Sequence, residues 1–155
     1  AFLSYGDAMG YELFNPRQLP ITAALFEKID NDIDIAITDA KDIFKRSHPP
    51  GDNNTESYSY PSGHSTRAFV WATLLSNVFP EEKEALIEKA RQKAWDKVIL
   101  GDHYPADVYA GEIYGEYLTN MLLENPDFQQ EWSKACQEIN NWKHQSIFSD
   151  IWNEV

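Results

Sequence analysis

The sequence predicts an all-α fold, a single-domain bundle of about five to six helices. Apolar residues recur at intervals of three and four through most of the chain. No segment alternates with the period of two that a half-buried strand needs. Proline and glycine fall between the periodic stretches, where breaks belong. A length of 155 residues suits one domain spanning 1–155, and 43% hydrophobic with 14% aromatic content rules against a disordered chain.

Charge narrows the function classes. Acidic residues number 25 against 13 basic ones, a net charge of −12. That balance disfavours a nucleic-acid partner and an anionic membrane surface. No run approaches the roughly 20 apolar residues of a spanning helix. Cys136 is the single cysteine, so no internal disulfide is available. The chain starts at Ala1 with neither an initiator Met nor a signal-peptide pattern. The expectation is that an N-terminal segment has been removed. Oligomeric state, monomer or homo-oligomer, is open.

Taken in order, Ala1 to Leu19 reads as loop with one short helix, broken by Gly6, Gly10 and Pro16. Ile21 to about Ser47 reads as helix, with Phe26, Ile29, Ile33, Ile37, Ala40 and Phe44 as its buried stripe. Lys41 sits at the edge of that stripe, and Lys45 and His48 share its neighbouring face. Plain solvation is the ordinary reading for such lysines. Pro49-Pro50-Gly51 stops the helix, and a polar loop follows to Tyr60.

Tyr60-Pro61-Ser62-Gly63-His64 opens a helix that runs from Thr66 to Phe79. Ser62 and Gly63 stand at its start, where unpaired N–H groups make an anion site. His64 begins an inward face shared with Ala68, Trp71, Leu75 and Val78. The plain alternative is a capping serine and a core histidine. Pro80 starts the next helix, which runs to about Leu100 with Leu86, Ile87, Ala90, Ala94 and Val98 buried and Lys97 at their edge. After the turn Gly101-Asp102-His103-Tyr104, Pro105 starts another helix. There Asp107 shares a face with Ala110, Gly111, Tyr114, Leu118 and Met121, opposite Glu112 and Glu116. A carboxylate on that face is expensive to bury without a partner. Gly111 and Gly115 allow close helix packing. Asn125-Pro126 ends the helix. A last helix, about Asp127 to Gln145, buries Phe128, Trp132, Ala135, Ile139 and Trp142. Residues 146–155 form a tail that docks through Phe148, Ile151 and Trp152.

Three blocks then stand out: Lys41-x6-His48-Pro49, Pro61-Ser62-Gly63-His64, and Lys97-x5-His103-x3-Asp107. They resemble the signature of the type 2 phosphatidic acid phosphatase (PAP2) superfamily, Lys-x6-Arg-Pro, Pro-Ser-Gly-His and Arg-x5-His-x3-Asp. Every spacing within the blocks is kept. The helical arrangement after them resembles the soluble class A bacterial acid phosphatases, including the Asn125-Pro126-Asp127-Phe128-Gln129 turn. Two positions depart from the pattern, since His48 and Lys97 replace arginines that would grip phosphate with a fork.

The resemblance implies a phosphomonoesterase working through a phosphohistidine. His103 is then the nucleophile, Asp107 its orienting carboxylate, and His64 the general acid and base. Lys41, His48, Ser62, Gly63 and Lys97 are the phosphate-binding residues, with Lys45 or Arg46 next should His48 fail to contact phosphate. It further implies a small phosphate monoester as substrate and no metal or other cofactor, with phosphate or vanadate able to occupy the site. A periplasmic or secreted location also follows from it. The alternatives are a vanadate-dependent haloperoxidase, and a non-catalytic phosphate-binding domain that has lost the two arginines.

Overall fold

The structure, a computed structural model, describes residues 17–52 and 56–153, with side chains through His144. The loop and short helix expected before residue 17 lie outside the described residues, as do the side chains of the expected docking tail. The described residues form five helices with no strand: α1 (Pro20–Phe44), α2 (Gly63–Val78), α3 (Lys83–Ile99), α4 (Pro105–Glu124) and α5 (Pro126–Asn153). A 3₁₀ turn, Pro80–Glu82, leads into α3. The all-α expectation is met.

The bundle is organised around α2. A one-sided stripe was expected there, but Phe69, Val70, Trp71, Ala72, Leu74 and Leu75 are all fully buried. A helix that is apolar all round belongs in the centre, and α2 packs mainly against α3 and α4. Its aromatic side chains join the outer helices: Phe26 of α1 meets Trp71 edge-on at 4.5 Å, and Trp132 of α5 at 6.3 Å.

Glycines bring α4 onto α2. A Cβ at Gly111 would lie 2.6 Å from the Ser65 Cβ and 2.7 Å from the Ser62 carbonyl oxygen. At Gly115 it would lie 2.6 Å from the Thr66 carbonyl oxygen. This backbone approach turns the buried face of α4 toward Asp107, Val108, Gly111, Gly115 and Thr119. Met121, expected inside, is 52% exposed for that reason.

The N-terminus of α1 has no side-chain cap of its own and no acidic residue in its first turn. Glu138 of α5 supplies both, accepting from the Ile21 and Thr22 N–H groups at 3.0 and 2.7 Å. At its other end α1 stops at Phe44, not Ser47, because Lys45 adopts a left-handed conformation (φ 49°). Phe44 is 59% exposed against expectation. The N-terminus of α2 sits over Ile37, within 3.3 Å of a Cβ built on Gly63, so the last turns of α1 run past the element that would cover them. The Phe44 ring meets Tyr60 instead, at 4.7 Å.

The break expected after Gln145 is absent, since α5 continues through residue 153.

Candidate active site

Three chain segments meet at one pole of the bundle: the loop after α1, the start of α2, and the turn between α3 and α4. Backbone hydrogen bonds fix them. Ser59 N–H donates to the Arg46 carbonyl at 2.8 Å, and Ser62 N–H to the Asp107 carbonyl at 2.9 Å. The Tyr60–Pro61 peptide is cis. Gly101, with φ 81°, closes the end of α3, and Asp102 and His103 N–H both return to the Lys97 carbonyl at 3.0 and 3.1 Å. The third sequence block is thus one folded unit.

His103 and Asp107 form its centre. Both are buried, and the His103 Nδ1 lies 3.3 Å from Asp107 Oδ2. A carboxylate is acceptor-only, so Nδ1 carries the hydrogen and Nε2 keeps its lone pair when the ring is neutral. The burial of Asp107 is compensated in full. Oδ2 also accepts the Tyr104 N–H at 2.9 Å, and Oδ1 accepts from the Arg46 guanidinium at 3.0 Å. Arg46 lies over the Tyr104 ring, 4.2 Å from its centroid. Desolvation holds the His103 pKa below the ordinary histidine value, with the Asp107 hydrogen bond opposing it.

His48 follows α1 in the loop rather than sitting on the helix. Its ring centroid is 5.2 Å from that of His103. The same Nδ1 lies 2.8 Å from the Asp102 carbonyl and 2.8 Å from Asp52 Oδ2. Both are acceptors, which again puts the hydrogen on Nδ1. The Nε2 is buried and has no hydrogen-bond partner among the described residues.

Lys41 donates to the Tyr58 carbonyl, and partial burial lowers its pKa against the pull of Asp107. Lys97 pairs with Asp102 at 3.0 Å. Ser62 is buried and caps α2, its hydroxyl accepting from Ser65 N–H at 3.3 Å. Its own hydrogen stays available to donate. The start of α2 leaves the Gly63 and His64 N–H groups without an intrahelical acceptor.

His64 departs from expectation. In the first turn of α2 it is exposed, not turned into the core. It stands at the edge of a cavity of about 390 Å³ that Lys97 and Trp71 also line. Partial desolvation against that wall, with Lys97 beside it, lowers its pKa, while Asp102 opposes.

All eight expected site residues therefore belong to this pole. Arg46 and Asp52 were not among them. The sequence offers Arg46 only as a substitute for His48 in gripping phosphate, not as a partner of Asp107, but Asp52 follows His48 by four residues, as Asp107 follows His103. That repeated spacing was readable.

Residues 17–130 match the PAP2 superfamily. A non-specific acid phosphatase of Providencia stuartii is 27% identical over 152 residues, 90% of this chain and 61% of that protein. One of Salmonella typhimurium is 31% identical over 118 residues, 68% of this chain and 47% of that protein. A lipid A 1-phosphatase of Rhizobium etli is 33% identical over 73 residues, 47% of this chain and 32% of that protein. The chain spans about half to three-fifths of the length of these acid phosphatases. With most of its length matched to the family and the three motif blocks gathered at one pole, the chain belongs to the PAP2 superfamily, close to the bacterial acid phosphatases.

Proposed function

We propose that this protein hydrolyses phosphate monoesters through a phosphohistidine on His103. The observation that carries the reading is the buried His103–Asp107 pair, which leaves Nε2 as the free nucleophilic nitrogen. In the first step Nε2 forms the N–P bond as the P–O bond to the alcohol breaks. The departing oxygen takes its proton from His64, and Asp107 stabilises the charge left on His103. In the second step His64 takes a proton from water, the water oxygen bonds phosphorus, and the N–P bond breaks. Lys41, Lys97, Gly63 N–H and the Ser62 hydroxyl are the donors for the phosphoryl oxygens, joined by His48 Nε2 when that ring is protonated. Asp52 and the Asp102 carbonyl act through His48, holding its ring so that Nε2 stays open.

Both functional histidines have lowered pKa values. For kcat/KM the free enzyme must hold His103 neutral and His64 protonated. Above the lowered His64 pKa the acid is lost, so the rate falls as pH rises and its maximum lies below about 6.5. Turnover of p-nitrophenyl phosphate between about pH 4 and 8 tests this. The expected result is an acid-side maximum that EDTA leaves unchanged and orthovanadate abolishes. A rate that EDTA removes and a divalent ion restores refutes the metal-independent scheme.

One observation favours a second reading, a phosphate-binding domain without turnover. Lys97 is paired with Asp102 and Lys41 with the Tyr58 carbonyl, so each lysine must share or release a partner to meet the charge that develops in turnover. Phosphate binding with no turnover across that pH range would select this reading.

A further inference from the structure

The cavity beside His64 has a composition the phosphoryl chemistry does not account for. Its lining is Ala68, Trp71 and Leu100 on the apolar side, with Arg67, Lys93, Lys97 and Asp96 around them. Its volume, about 390 Å³, falls in the range of small-ligand pockets. Trp71 is fully buried at its floor. Arg67 is tied to Asp34 of α1, so that wall is held from outside the site.

Position gives the cavity its meaning. His64 and Lys97 line it, but His103 does not. In an in-line displacement the leaving oxygen departs opposite the nucleophile. A space that shares the general acid and excludes the nucleophile lies on the leaving-group side.

We propose that this cavity is a leaving-group subsite selective for alcohols that carry an aromatic ring. The reading rests on the phosphatase function proposed above and deepens it. Apolar contact with Leu100 and the edge of Ala68, over the buried Trp71, favours a hydrocarbon face over a hydroxylated one. Lys93 and Arg67 at the edge add cation–π attraction, which an aliphatic group cannot receive. Substrates are then aryl phosphates, or monoesters with a ring one or two bonds from the ester oxygen.

Benzylphosphonate, methylphosphonate and inorganic phosphate are titrated as competing ligands of the wild type, of Ala68→Leu and of Leu100→Ser. Ala68→Leu fills the floor, and Leu100→Ser alters only a side chain that is 68% exposed, so at least one variant keeps the fold. Expected is about tenfold tighter binding of benzylphosphonate than of methylphosphonate in the wild type. Both variants should cut that ratio, Ala68→Leu to about twofold or less, with inorganic phosphate binding unchanged. Phosphate binding with a ratio near one in the wild type, or an equal ratio in all three proteins, overturns the subsite alone. Failure of all three ligands to bind the wild type overturns the phosphatase reading, and the subsite with it.

Discussion

Two histidine–carboxylate pairs face each other in this site, with the same spacing and different surroundings. His103 and Asp107 lie across the first turn of a helix, and their side chains are 5% and 0% exposed. Both oxygens of Asp107 accept from donors: Oδ2 from His103 and the Tyr104 N–H, Oδ1 from Arg46. Close behind it, Gly111 lets α2 press its backbone onto α4. His48 and Asp52 instead occupy a loop. There the ring commits one nitrogen to Asp52 and the Asp102 carbonyl and keeps the other open. A carboxylate held through both oxygens on a packed helix is a fixed reference for the ring it orients. A ring with one committed and one open nitrogen makes a ligand contact that can change charge. In the mechanism proposed above the difference becomes one of role, reaction against binding.

The largest effect that would separate the roles comes from removing each ring. His103→Ala is expected to lower kcat by at least about 10³-fold, since no other group supplies the N–P bond. His48→Ala is expected to raise KM and the inhibition constant for phosphate, with kcat changed far less. Steady-state kinetics on the purified variants checks both. Equal losses of kcat would break the distinction.

A smaller separation is expected in stability. Asp107→Ala leaves Arg46 and the Tyr104 N–H without their acceptor in a buried setting, a cost of roughly 2 kcal/mol. The Arg46 side chain is 39% exposed and can turn to water, which keeps the figure below that of a fully buried pair. Asp52→Ala is expected to cost about 1 kcal/mol, because the His48 and Asp52 side chains are 6% and 14% exposed but the His48 Nδ1 keeps the Asp102 carbonyl as acceptor. Urea midpoints for the two variants at constant slope measure the difference. Equal shifts would show that the loop pair is as structural as the helical one.

Much of the first pair was legible in the sequence, and little of the second. The spacing of His103 and Asp107 on an apolar helix face required a buried carboxylate, and a buried carboxylate requires partners. Which partners was not legible. Arg46 reaches Asp107 across 61 residues of chain, a contact that only the docking of the α1 loop creates. The helices themselves followed from periodicity, and α1, α3 and α5 bury much of the stripe their spacing indicates. Periodicity failed where packing context decides. It gave α2 one buried face because a single helix cannot reveal that neighbours surround it. It placed Phe44 and Met121 inside because it is blind to where a covering helix ends or how far glycines let it rotate. His64 was turned inward by the same logic. Its first-turn position, with α2 only beginning there, leaves it at the cavity edge instead.

The smallest expected effect concerns charge at position 48, and it tests the binding role most directly. Arginine stays charged at every working pH, whereas histidine changes charge within that range. The open Nε2 donates to phosphate only when the ring is protonated, because Nδ1 already holds the hydrogen of the neutral form. Groups facing this ring are Asp52, the Asp102 backbone and the His103 imidazole, and Lys41 acts on His103 in turn. Inorganic phosphate changes its own charge within that range and His64 titrates as well, so the wild-type profile mixes three equilibria. His48→Arg shares the other two and removes only the switch. Its inhibition constant for inorganic phosphate should rise about fivefold less than the wild type's between about pH 5.5 and 7.5, because the neutral imidazole makes no Nε2 hydrogen bond to phosphate while arginine keeps its own. Parallel curves would mean that His48 does not touch phosphate. Arg46 would then be the cation to vary next, since Lys45 is exposed at the end of α1 while Arg46 already reaches the buried carboxylate.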